Sequence, residues 1–151
     1  MGYENLGHPH PKPPPGKTFL LVVGILYAVF GALAALTNAA MLATAGFWDE
    51  FMPAANDLSW SVWYSFAVAF SLYRVLLGVF GILWRAKPRN ASILTLLGGI
   101  DILLVLFSTV NIFFYYEFVM AAVTAFFMLV FGLALPILYI VGAQKNLGER
   151  R

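Results

Sequence analysis

The chain has 151 residues, of which 62% are hydrophobic and only 11% charged, with a formal net charge of +2. A soluble domain usually carries about 25% charged residues, so composition excludes an ordinary soluble domain. Cysteine is absent, which excludes disulfides, thiolate metal sites and cysteine nucleophiles.

Residues 1–17 are polar and proline-rich, with HPHPKPPPGK from His8 to Lys17. Such a segment has too little apolar surface to fold, and a disordered cytoplasmic tail is expected. His8 and His10 are too few to hold a metal on a flexible chain. Pro11 and Pro14 match a polyproline ligand pattern common to any proline run. Met1-Gly2 lacks the Ser or Thr that myristoylation wants at position six, where Leu6 stands.

The apolar pattern predicts four membrane-crossing helices, at about 18–45, 60–84, 92–116 and 118–143. Each exceeds the ~20 residues needed to cross a ~30 Å hydrocarbon core. Between the first two lies GFWDEFMPAANDLS, Gly46 to Ser59, a loop read as a short interfacial helix or, alternatively, a docking surface for cations or a partner. RAKPRNA, Arg85 to Ala91, is a short basic link, and residues 144–151 form a second tail. Asn90-Ala91-Ser92 matches a glycosylation sequon, but it falls on the side assigned to the cytoplasm. The fold class expected is an all-α integral membrane four-helix bundle, antiparallel up-down-up-down.

Basic residues set the expected orientation. Lys12 and Lys17 precede the first span, Arg85, Lys87 and Arg89 join the second to the third, and Lys145, Arg150 and Arg151 follow the fourth. The other side carries only Asp49, Glu50, Asp57 and Glu117. The positive-inside rule then places both termini in the cytoplasm, with the plasma membrane as the expected location.

Within the spans, Arg74 is the one basic residue and Asp101 the one acid. Arg74 lies ten residues from Trp84, roughly 15 Å deep, and Asp101 nine from Ser92, roughly 13–14 Å deep. An unpaired Arg or Asp at a helix centre costs about 2.5–3.5 kcal/mol. Matching depth on helices joined by a short link therefore predicts that they pair. Tyr27, roughly 15 Å from Lys17, is placed to join them. Pro136 removes a backbone donor and frees the carbonyl of Gly132, for which Arg74 is a candidate donor. Ser108 and Asn111 continue a polar stripe from Asp101. Asn38 and Asn111 lie at comparable depths and are candidates to bond across helices. Gly24, Gly31, Gly78, Gly81 and Gly98 are candidates for close helix packing.

No HExxH, nucleophile set or acid–base constellation is present, so neither catalysis nor a cofactor or metal is expected. The leading expectation is a scaffold or accessory subunit clamped by Arg74 and Asp101. The alternative is a small oligomeric transporter or channel using them for ion or proton coupling. Expected partners are the lipid bilayer, and a membrane protein or second copy; nucleic acid is not expected.

Overall fold

The computed structural model describes residues 16–51 and 59–147. The readings placed on His8, His10, Lys12, Pro11, Pro14, Asp57, Arg150 and Arg151 lie outside the described residues. The elements are α1 (Lys17–Ala43), α2 (Ala45–Phe51), α3 (Trp60–Trp84), a 3-10 turn (Pro88–Asn90), α4 (Ala91–Tyr115) and α5 (Phe118–Leu147). The helices α1, α3, α4 and α5 are long and apolar enough to cross a membrane. A helix suits that setting because it satisfies its own backbone where lipid cannot. Large apolar side chains cover the outside, among them Leu36 (71% exposed), Leu103 (65%) and Phe118 (77%). A shell of that kind fits acyl chains rather than water.

Two differences from the sequence-based bounds, at the ends of the first and last spans, have local causes. The first span ends at Ala43, where Thr44 leaves helical geometry with φ −106° and ψ 7°. The loop beyond it then forms the short helix α2. The last span runs on to Leu147, because Asn146 is fully buried and hydrogen-bonded. Its Oδ1 accepts from the Gly16 N–H at 2.9 Å, and its Nδ2 donates to the Arg85 carbonyl at 2.9 Å. The start of α1 and the ends of α3 and α5 therefore meet at one end of the bundle, the termini end. At the other, the loop end, Ala45, Trp60 and Tyr115 share a small core flanked by Trp48, Trp63 and Tyr64.

The helices pack as two pairs. The short link predicts the third span beside the second, but α1 lies mainly against α3, and α4 mainly against α5. The second pairing follows from a tight turn, since only Tyr116, extended at φ −120° and ψ 153°, and Glu117 separate α4 from α5. The first follows from glycine. A Cβ on Gly78 would stand 2.5 Å from the Ala28 nitrogen and 2.6 Å from the Gly24 oxygen, both backbone. A Cβ on Gly31 would meet the Val75 nitrogen at 2.9 Å. Small residues let two backbones approach this closely.

Gly78→Ala should therefore push α1 off α3 and cost about 1–3 kcal/mol, the usual price of overpacking. Gly99→Ala, whose Cβ meets nothing within 4 Å, is the matched control. A lowered Tm in detergent for the first substitution alone is the expected result.

At the loop end, Asp49 of α2 caps α3. Its Oδ1 accepts from the Trp60 N–H at 2.7 Å and its Oδ2 from the Ser59 hydroxyl at 2.8 Å. Ser59 is itself the N-cap, accepting from the Ser61 N–H at 3.1 Å. A carboxylate at a helix N-terminus meets unpaired N–H groups and the positive end of the helix dipole. The Trp60 N–H first, and then the Ser59 hydroxyl, hold the Asp49 carboxyl below its ordinary value of 3.8. A depressed folded-state pKa means the contribution is complete above pH 3.8 and is lost as pH falls through the lower folded value. Amide protection at Trp60 should fall in that acid window, and Asp49→Asn should lower it already at neutral pH.

Candidate functional site at the charged node

Midway along the bundle, one cluster of side chains touches all four long helices. Arg74 of α3 donates from Nε to Asp101 Oδ1 of α4 at 3.2 Å. The other oxygen of Asp101 accepts from the Tyr27 hydroxyl of α1 at 2.6 Å. Arg74 Nη2 donates to the Gly132 carbonyl of α5 at 3.3 Å. That carbonyl stands four residues before Pro136, which lies inside the helix and is buried. Proline has no N–H to offer it, so the guanidinium supplies the missing donor.

The two charges are not equally enclosed. Asp101 is 0% exposed, whereas 23% of the Arg74 side chain remains open. The Arg74 guanidinium carbon also lies 4.6 Å from the centroid of the Phe70 ring, a cation–π contact that favours keeping it in an apolar setting. In a low-dielectric interior such an arrangement holds together only because each partner of the acid is supplied.

The remaining polar residues divide differently from the sequence-based expectation. Asn38 bonds across helices, donating to the Ser71 hydroxyl of α3 at 3.1 Å. Among the described residues Asn111 makes no hydrogen bond to Asn38; its amide donates to the Phe107 carbonyl one turn back, at 2.8 Å. Ser108 is buried and donates likewise to Leu104 at 2.8 Å. Back-bonding to the i−4 carbonyl satisfies such groups without a cross-helix partner. The polar stripe on α4 thus stops contributing to the node beyond Asp101.

Tyr139, which the sequence reading did not single out, closes the packed half towards the termini end. It is fully buried, its ring meets Tyr27 edge-on with centroids 5.4 Å apart, and its hydroxyl donates to the Leu77 carbonyl at 3.0 Å. Gly81 and Gly98 make room for this ring: a Cβ on either would lie 2.8 Å or 3.3 Å from it. Gly98 also faces Ile140 of α5. Tyr73 adds a further tie, donating to the Leu97 carbonyl at 2.6 Å. No signal in the sequence marks Tyr139 apart from the interfacial tyrosines near the span ends, whereas Tyr73, next to Arg74, is set apart only by its depth.

Fold and site together define a small helical protein with four membrane-capable helices joined at a buried Arg–Asp pair. No family model, curated protein or solved structure matches the chain.

Proposed function

We propose that the protein is a non-catalytic scaffold or accessory subunit of the plasma membrane. Its spans run up-down-up-down with both termini in the cytoplasm, and the Arg74–Asp101 node clamps its two helix pairs together. The observation that carries this reading is the closure of Asp101: it is fully buried, with one oxygen held by Arg74 and the other by Tyr27. A coupling acid must exchange protons or ions with water during its cycle, and this carboxyl is 0% exposed with both oxygens already hydrogen-bonded. The orientation is supported by charge. Lys17, Arg85, Lys87, Arg89 and Lys145 lie at or next to the termini end, while Asp49, Glu50 and Glu117 lie at or next to the loop end. Positive charge on one side is the mark of the cytoplasmic face.

The second reading, transport or conduction by an oligomer, draws on the open part of Arg74, which faces a cleft. Reconstitution into liposomes separates the two. The scaffold reading expects no flux of protons, cations or small anions above that of empty liposomes. Flux that disappears in Asp101→Asn would overturn it.

A further inference from the structure

On the loop-end side of the node α3 and α4 stay in contact through Phe66 and Phe107, but side chains leave the space beside Arg74 unfilled. Two adjoining cavities open there, of about 240 and about 570 Å3. Phe30, Phe70, Arg74, Met128 and Leu135 line both. The larger falls in the ~300–1,000 Å3 range of small-molecule sites. Phe30 and Phe131 on its rim are 55% and 68% exposed, so the cleft opens on the face that the apolar shell turns to lipid.

Arg74 brings one hydrogen-bonding edge to this cleft. Its Nε donates to Asp101 and one N–H of its Nη2 to Gly132. No buried side-chain nitrogen or oxygen among the described residues lacks a partner, so the unengaged Nη1 belongs to the exposed part of the side chain. The charge of the guanidinium is already matched by Asp101. A second carboxylate in the cleft would stand near that buried acid, with little dielectric screening to weaken the repulsion. A cation would face N–H groups that can only donate. What remains complementary is a neutral acceptor on an apolar body, flat enough to lie against phenyl rings. Ring-on-ring contact adds to simple area burial.

We propose that the cleft binds a neutral, membrane-dissolved molecule whose ring carries a hydrogen-bond-accepting carbonyl, of the quinone type, with the carbonyl on Arg74 Nη1. The site lies beyond the clamp reading and stands independently of it, since a scaffold needs no ligand. Purified protein in mild detergent is titrated with decylubiquinone, decylbenzene and palmitate while Tm is followed. A saturable rise is expected with the quinone, at a concentration about tenfold or more below that needed for the other two. It should vanish in Thr124→Trp, which fills the larger cavity from a residue that makes none of the node's hydrogen bonds. If that variant loses its helical fold, Ala34→Leu in the smaller cavity takes its place. An absent shift, or one that survives the filling substitution, overturns the proposal. An equal shift with decylbenzene shows apolar filling alone, and a stronger one with palmitate shows an anion site; each also overturns it. Flux in liposomes bears on the scaffold reading and leaves this result untouched.

Discussion

Asp101→Leu should remove about 3–5 kcal/mol of stability, the cost of stranding one member of a buried ion pair. The net stability of a folded protein is about 5–15 kcal/mol, so much of the margin would go. The effect follows from what the substitution leaves behind. Arg74 would keep its charge, its place roughly 15 Å from the bundle end, and a single acceptor at Gly132. Tyr27 would keep a buried hydroxyl without its acceptor at 2.6 Å. Neither group can turn to water, and acyl chains offer no acceptor. Unfolding in mixed micelles, followed by loss of helicity and by Tm, measures the cost. A change below about 1 kcal/mol, the size of an exposed pair, would mean that the node is solvated.

The second large effect is expected at Tyr139. Truncation of a fully buried aromatic side chain costs about 3–5 kcal/mol, part from lost contacts and part from the cavity. In this bundle the cavity term should dominate. The site is walled by Gly81 and Gly98, which have no side chains to swing inward. Tyr139→Ala would also leave the Tyr27 ring without its edge-on partner. Tyr139→Phe keeps the ring and loses only the bond to Leu77, so about 0.5–1.5 kcal/mol is expected. The same unfolding experiment reads both, and the large gap between them is the predicted result. Equal costs would assign the role to the hydroxyl rather than to the packing.

The parts of this architecture legible in the sequence are those governed by one-dimensional quantities. Span length and hydropathy mark the four long helices. Depth along a helix is a residue count, so Arg74 and Asp101 could be matched without knowing any packing. Pro136 announces the Gly132 carbonyl because the missing N–H always orphans the residue four back. What depends on the angle between helices was not legible. Gly78 shows that some backbone comes close, but not that it belongs to α1. Asn111 and Ser108 look like bundle-interior polar groups, yet each is satisfied by its own helix. Asp49 reads as a solvated acid, and its place over the N-terminus of α3 arises only when α2 folds back. Tyr139 carries no local signal because tyrosine near a span end is common in any interfacial belt, and Asn146 lies beyond the span that the apolar pattern marks.

The pairwise coupling between Arg74 and Asp101 follows from a double-substitution cycle. Unfolding free energies are compared for the native chain, Arg74→Leu, Asp101→Leu and the combination. The clamp account predicts that the double change costs less than either single one, since two leucines bury no unpaired charge. Costs that simply add would contradict it, and would mean that each side chain is held by partners other than its opposite charge.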